Sequence, residues 1–259
     1  MIKQLSTETS KKIIYPDSDG QPMADNTKQF RWIAVIKENL ELLFADNPNI
    51  FVAGDLLWYP VEGNNKIRTA PDAMVVFGRP KGDRGSYKQW SEDNIPPQVV
   101  FEILSPGNRL QEMARKLSFY SRYNVQEYYL YDPDDNELIG WVQSQDFLDV
   151  IEQMNGWISP QLQIRFQLTA DSLEIYRPDG ERFFTFVELA QLREKERQEK
   201  EQALARIQQE RLEKEQALAR IEEETQRANE ALTELERERQ RSQALEAKLR
   251  EMGINPEQL

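Results

Sequence analysis

Cysteine and histidine are both absent from this chain of 259 residues. Without cysteine there is no disulfide, no thiolate zinc site and no thiol nucleophile. Without histidine there is no Ser-His-Asp triad and no histidine-ligated metallohydrolase centre, and the commonest general base at neutral pH is missing. Acid–base chemistry is left to Asp, Glu, Lys, Tyr or a metal and its water. Long apolar runs are lacking too, since none reaches the roughly 20 residues of a membrane-spanning helix. The opening M-I-K-Q-L-S-T-E-T-S has no signal-peptide core. These absences predict a soluble, intracellular protein of the reducing cytoplasm. Positive charge is also short, with 33 Lys+Arg against 45 Asp+Glu and a formal net charge of -12. The first 187 residues hold 27 acidic and 19 basic side chains, a net of -8. So acidic a body does not coat a duplex, because nonspecific binding rests on neutralising many phosphates. Contact with a polyanion has to be local and assisted by metal.

What the chain does contain is concentrated between Arg68 and Pro133. R-T-A-P-D-A-M-V-V-F-G sets Asp72 directly before an apolar run, and P-P-Q-V-V-F-E-I-L-S-P sets Glu102 inside another. Strand alternation puts Glu102 on the side of Val100 and Leu104, and Asp72 on the side of Met74 and Val76. A buried carboxylate needs a partner, and a divalent cation suits two of them on adjacent strands. Between the two runs, Gly78 to Pro97 is a loop of about twenty residues, long for a connection. It carries Arg79, Lys81, Arg84 and Lys88, and reads either as a solvated loop or as a phosphate-contacting flap beside the carboxylates. The helix expected from about Arg109 to Tyr123 places Lys116 and Tyr120 one turn apart. Lys116 either serves the site or pairs with Glu112; Tyr120 and Tyr128 read as core residues with a polar tip, and Tyr120 is also a candidate substrate contact.

Upstream, residues 1–24 read as an irregular lead-in. Phe30, Ile33, Ile36, Leu40 and Phe44 predict a helix from about Thr27 to Ala45, stopped at Asn47-Pro48-Asn49. I-F-V-A-G-D-L-L-W-Y-P reads as a strand with Asp55 in its middle, either a turn or bulge residue after Gly54 or a further metal ligand. Strands are expected at Ala73–Phe77, Gln98–Leu104, Glu127–Asp132, Leu138–Gln143, Phe147–Gln153, Trp157–Ile164, Ser172–Tyr176 and Phe183–Phe186. Composition changes at Val187–Leu192, and Pro and Gly are then absent as far as Met252. This predicts a long charged helix over 188–253, with a short end at 254–259 beyond Gly253 and Pro256. E-K-E-Q-A-L-A-R-I occurs at Glu199–Ile207 and again at Glu213–Ile221. One heptad seam runs Lys200, Ile207, Lys214, Ile221, Ala228, Leu235, half of it poor for a core, so any coiled coil is weak.

Together P-D-A-M-V-V-F, F-E-I-L-S-P-G-N-R, the Lys116–Tyr120 spacing and E-Y-Y-L-Y-D-P resemble the Uma2 family, restriction-endonuclease-like proteins of the PD-(D/E)xK nuclease superfamily. The resemblance covers about residues 25–185. It implies an α/β fold with a mixed central sheet flanked by helices, occupying 1–187, and metal-dependent phosphodiester hydrolysis. Asp72 and Glu102 match the motif acids, and the backbone carbonyl of Ile103 would join them on Mg2+ or Mn2+. Where the superfamily pattern has lysine two residues after the acid this chain has Leu104, and Lys116 on the following helix is the matching residue. Arg79, Lys81, Arg84 and Tyr120 are the substrate contacts this reading suggests. The implied partner is nucleic acid, DNA ahead of RNA, with the tail open to self-association or a protein partner. The alternative is a degenerate nuclease fold that binds nucleic acid or protein without cleaving.

Overall fold

The computed structural model describes residues 13–107 and 110–253. The expected turn residue Asn108, the helix start at Arg109, the first residues of the lead-in and the end at 254–259 lie outside the described residues. Helix α1 (Thr27–Leu43) is followed by strands β1 (Ile50–Ala53), β2 (Trp58–Tyr59), β3 (Ala73–Phe77), β4 (Tyr87–Lys88) and β5 (Val99–Ile103). Helix α2 (Leu110–Arg122) then leads to β6 (Glu127–Asp132), β7 (Glu137–Ser144) and β8 (Phe147–Val150). The hairpin strands β9 (Arg165–Leu168) and β10 (Leu173–Tyr176) precede helix α3 (Phe186–Glu251).

Six strands form one sheet in the order β1-β3-β5-β6-β7-β8. Within this sheet only β5 and β6 run parallel; its other neighbouring pairs are antiparallel. A parallel pair needs a crossover, and α2 is that crossover. The sheet is therefore mixed and helix-flanked, as the resemblance implied.

Both faces of the central strands are apolar because both are covered. On one face Val75, Val99, Phe101, Ile103 and Tyr129 pack with Ile33, Ile36 and Leu40 of α1 and with Phe166 and Ile175 of the β9–β10 hairpin. On the other, Met74, Val76, Val100, Tyr128 and Leu130 pack with Trp58, Tyr87 and Tyr120. Helix α1 starts where the Asn26 side chain, in extended backbone, accepts the Gln29 N–H at 2.8 Å. The buried stripe of α1 runs Gln29, Ile33, Ile36, Leu40, whereas Phe30 is 53% exposed, so the expected stripe was off by one residue at its start.

Four other expectations are corrected. The strand predicted through Asp55 ends at Ala53, because Asp55 takes a left-handed φ of 47° and turns the chain. The loop from Gly78 to Pro97 holds a strand, β4, which pairs parallel with β2, and a single 3-10 turn at Gln89–Ser91. Trp157–Ile164 is a turn rather than a strand. The Ser159 hydroxyl accepts the Leu162 N–H at 2.9 Å and donates to the buried Glu127, and the strand begins only at Arg165. Phe183–Phe186 is not a strand either. The Asn39 side chain takes both backbone groups of Phe184, donating at 2.8 Å and accepting at 3.1 Å, in place of a neighbouring strand.

The chain divides into two compact units, residues 1–189 and 190–259. Helix α3 is started inside the first by a reciprocal cap: Thr185 Oγ1 accepts the Glu188 N–H at 3.2 Å, and Glu188 Oε2 accepts the Thr185 N–H at 2.8 Å. None of the residues of α3 is buried, and Ile207, Ile221 and Leu235 stand exposed along it. No described helix is long and apolar enough to cross a membrane.

A prediction follows from this division. All five tryptophans lie within residues 1–187, so their fluorescence reports that part alone. A chain truncated after Glu196, which retains the cap of α3, is expected to melt within about 2 °C of the full chain, a shift below about 1 kcal/mol at this size. A drop of 10 °C or loss of a cooperative transition would show that residues 197–259 hold the body together.

Candidate active site

The pairing of β3 with β5 sets Ala73 opposite Phe101 and Met74 opposite Val100. Continuing that register by one residue brings Asp72 opposite Glu102 on the face that α2 covers. Both are buried, Asp72 at 8% and Glu102 at 2% exposure. On α2 the inward side carries Met113, Lys116, Leu117 and Tyr120, spaced three and four residues apart. The apolar members of that stripe dock the helix, and docking delivers its two polar members to Glu102. Lys116 Nζ donates to Glu102 Oε2 at 2.8 Å, and the Tyr120 hydroxyl donates to Oε1. Asp72 Oδ2 accepts the Ile103 N–H at 2.6 Å. Among the described residues, Asp72 Oδ1 accepts no hydrogen bond.

Above this cluster lies a polar cleft of about 430 Å³ whose walls include Asp72, Asp55, Lys116 and Arg68. Glu102 sits beneath it, behind Lys116. Asp55 reaches the cleft from the bend after β1, held by its N–H to the Pro71 carbonyl at 3.0 Å. A Cβ at Gly54 would come within 3.3 Å of the Asp72 carbonyl oxygen, so a small residue lets the bend lie against the site. The lead-in forms another wall, contributing Asp19 and Asp25. It is pinned where the Tyr59 hydroxyl donates to the Pro16 carbonyl at 2.7 Å and Asn65 Nδ2 to the Ile14 carbonyl at 2.8 Å.

Ionisation follows from burial and from this crowding. Burial, and then the neighbouring Glu102, push the Asp72 carboxyl well above the ordinary value, although Lys116 and the Ile103 N–H pull the other way. Asp55 is raised by burial and by Asp19 and Glu102. For Lys116 burial alone would lower the pKa, but the ion pair with Glu102 prevails and raises it, so the ammonium stays charged. Burial and Glu102 likewise raise Tyr120, which remains a phenol and a donor.

A family model matches residues 3–213: Uma2, described as "Putative restriction endonuclease". The chain belongs to the Uma2 family. One solved structure that resembles it is the crystal structure of "a putative nuclease belonging to DUF820" from Anabaena variabilis. The two chains are 16% identical, with a TM-score of 0.40 over 54% of this chain and 74% of that one. No curated protein sequence matches.

Of the residues expected to form the Uma2 site, Asp72, Glu102 and Lys116 come together, and Asp55 joins them from a bend rather than from a strand. The expected flap does not lie beside them. Arg79 pairs with Glu92 and Asp93, and Arg84 with Glu92 at 2.7 Å. Lys81 Nζ donates to the carbonyls of Phe44 and Ala45 at the end of α1. None of the three lines the cleft; their charges brace the loop and cap a helix. Tyr120 is fully buried and so is no substrate contact; it orients Glu102. The sequence reading missed Gln29, which is buried and donates from Nε2 to the Ile103 carbonyl at 2.8 Å while its Oε1 accepts the Asp25 N–H. Extending the α1 stripe four residues back from Ile33 would have found it, a polar residue on an apolar face.

Magnesium and manganese call for hard oxygen donors. Among the described residues no group of three or more acidic side chains is arranged to hold a metal by itself. Magnesium takes one or two carboxylates and keeps several waters. Asp72 and Glu102, with a remaining lone pair on the Ile103 carbonyl, supply hard oxygen donors of that kind. Among the described residues the buried Tyr128 hydroxyl has no partner, and burial followed by Glu102 and Asp72 raises its pKa, so an ordered polar species between these groups would satisfy it. The residues fit a partly hydrated cation and would not form a closed protein cage.

The raised Asp72 gives a signed pH prediction. A carboxyl whose folded pKa exceeds its unfolded value of about 3.8 destabilises the native state fully above the folded pKa. Below about pH 3.8 both states hold the proton and the loss vanishes. Asp72→Asn keeps an oxygen acceptor for the Ile103 N–H. In metal-free buffer this variant is expected to melt above wild type at neutral pH, with the gap closing on acidification. A gap that stays constant with pH would assign the effect to packing.

Proposed function

We propose that this Uma2 chain is a magnesium- or manganese-dependent endonuclease that hydrolyses phosphodiester bonds in nucleic acid, DNA in the first place. The observation that carries the reading is the convergence of Asp72, Glu102 and Lys116 from two paired strands and the crossover helix beneath one polar cleft. In such a reaction a water oxygen bonds to phosphorus as it gives up a proton, and the bond to the leaving sugar oxygen breaks as that oxygen takes up a proton from solvent. A cation held by Asp72 and Glu102, with the Ile103 carbonyl, would supply Lewis acidity and offset repulsion between carboxylates and phosphate. Lys116 spends one of its three N–H donors on Glu102. The others are free to hold a phosphate oxygen or to orient the attacking water, and its raised pKa suits it to stabilising charge rather than to acting as a base. Tyr120 and Gln29 act through others, fixing the Glu102 carboxylate and the Ile103 carbonyl. Asp55, at the cleft wall, would act on such an ion through its water rather than as a third carboxylate ligand.

A second reading has an observation of its own: both Glu102 oxygens are engaged by Lys116 and Tyr120, which neutralises that carboxylate without metal. A binding module of nuclease descent would look the same. The two separate by experiment. Binding of metal to the native state alone adds about 2.7 kcal/mol at a hundredfold excess over Kd. For the endonuclease, millimolar magnesium or manganese is expected to raise the melting temperature by several degrees and to support cleavage of plasmid or oligonucleotide DNA. Asp72→Asn and Glu102→Gln should abolish both responses, and Lys116→Ala should retain the thermal shift while cleavage falls about 100-fold or more, as loss of a stabilising donor does. An unchanged melting temperature with metal and no cleavage would sink the endonuclease and leave the binding module.

The tail has a separate part in this proposal, as a weakly self-associating helix joined through the seam of Ile207, Ile221 and Leu235. Because Lys200 and Lys214 interrupt that seam and Ala228 fills little of it, association is expected only at tens of micromolar or above, on the order of 6 kcal/mol of binding free energy. Sedimentation velocity of the full chain against the chain truncated after Glu196 tests it. Equal, concentration-independent monomers would remove the coiled coil.

A further inference from the structure

The described cations of the body are nearly all committed. Lys28, Lys37, Arg79, Arg84, Lys116, Arg177 and Arg182 are in ion pairs. Lys81 is spent on carbonyls, and Arg165 and Lys88 lie over aromatic rings. Arg31 on α1, Lys66, Arg115 and Arg122 are different: all four are exposed, and among the described residues their side chains enter no ion pair. Arg31 stands apart, whereas the other three are together. A surface groove of about 340 Å³ is lined by Lys66, Arg68, Arg115 and Arg122 with Phe119 and Tyr123 beside them, and among the described residues no carboxylate lines it. On a chain of net charge -12, four cations without an acid are the reverse of the surrounding composition.

The local structure explains the grouping. Arg115, Ser118, Phe119 and Arg122 recur at three- and four-residue spacing, so they form one stripe of α2, about 10 Å from Arg115 to Arg122 along the axis. Lys66 and Arg68 come from the segment that leads into Pro71 and β3. The stripe is one residue round the helix from Lys116, and Arg68 lines both this groove and the cleft that holds Asp72. Its guanidinium is oriented by a hydrogen bond to the Tyr59 hydroxyl at 3.3 Å. A cationic track thus runs into the wall of an acidic cleft. Placing Arg122 in the last turn of α2 suits the helix dipole, but that accounts for neither Arg115 in the helix middle nor Lys66 and Arg68 off it.

We infer that this groove is the nucleic-acid track of the protein, taking the phosphodiester backbone of a strand through Arg122, Arg115 and Lys66 and handing it to the cleft through Arg68. The inference deepens the nuclease reading and rests on it for the direction of the strand. It moves the substrate contacts from the loop of Arg79, Lys81 and Arg84 to α2 and the segment before β3. Phosphate contacts position a strand without reading its bases, so the track predicts little sequence preference.

The test measures binding apart from cleavage. Fluorescence anisotropy with a labelled 20-nucleotide DNA, single-stranded and as duplex, is read on the full chain in EDTA from 50 to 200 mM salt. Arg115→Gln, Arg122→Gln and the charge reversal Arg122→Glu are compared with Arg31→Gln, an equal charge change on exposed α1. Thermal melts verify that each variant is folded. Each lost contact should lower the slope of log K against log salt by about 0.7 for the single strand or 0.9 for the duplex. Arg122→Glu should weaken binding more than Arg122→Gln, and Arg31→Gln should match wild type. The stronger of the two probes identifies the strand form the track takes. Equal loss in all variants, Arg31→Gln included, would mean net charge alone and overturn the track, as would no binding by wild type at 50 mM salt. Binding lost at the groove, with no cleavage when magnesium is added, would leave the track standing and remove the nuclease. Cleavage with groove variants as active and as tightly bound as wild type would do the opposite.

Discussion

The Glu102 carboxylate, almost wholly buried, is satisfied by an ammonium and a phenol that arrive on the same helix. Desolvating a carboxylate costs several kcal/mol unless its oxygens are paired and hydrogen-bonded, so this position constrains much of the body. Strand β5 must lie beside β6 in parallel, because the intervening connection has to be long enough to contain α2. The apolar side of α2 must face the sheet with Lys116 and Tyr120 aimed at the acid. Asp72 enters by register: once β3 is antiparallel to β5, the residue before Ala73 falls opposite Glu102. The result is a second buried carboxyl beside the first, its pKa raised by burial and then by its neighbour.

Around that centre the chain uses its few cations in two ways. Most are consumed where the fold needs them. Arg79 and Arg84 share Glu92 and tie the long connection between β3 and β5 into one piece, and Lys81 closes the carbonyl end of α1. Such a basic stretch looks like a polyanion contact when only composition is visible, yet its charges are already neutralised or hydrogen-bonded within the protein. Apart from Arg31 on α1, the exposed cations without an ion pair among the described residues stand elsewhere, on the outer stripe of α2 and just before β3. The distinction between a structural and an available positive charge is one of geometry, set by what each side chain meets in space.

The wider sheet shows the same economy with polar groups. Glu127, on the face opposite Glu102, is buried and receives the Ser159 hydroxyl, the Tyr129 hydroxyl and the Gln161 N–H. Through those bonds it fixes the turn that starts the β9–β10 hairpin. Asn39 does comparable work on α1, holding the chain at Phe184 just before the cap of α3. These buried polar residues decide where irregular segments go, which apolar periodicity does not encode.

By itself the sequence determined the elements whose physics is local. The periodicity of Ile33, Ile36 and Leu40, the apolar runs after Asp72 and around Glu102, the turn residues near Pro133 and the loss of Pro and Gly beyond Val187 each specify an element from neighbours along the chain. It also determined the candidate acids and Lys116, because a charge inside an apolar run is visible without coordinates. Tertiary structure alone decided that Asp55 turns the chain instead of extending it and that Gln29 reaches the Ile103 carbonyl. It decided too that Tyr120 is a buried support, that Arg79, Lys81 and Arg84 are spent, and that Arg115 and Arg122 are not. The reason is that each of these depends on what lies beyond its neighbours along the chain, from a partner 8 residues away for Arg84 to one 74 residues away for Gln29. Desolvation and pairing are set by what packs against a side chain in space, and the order of residues along the chain carries that information only through the fold.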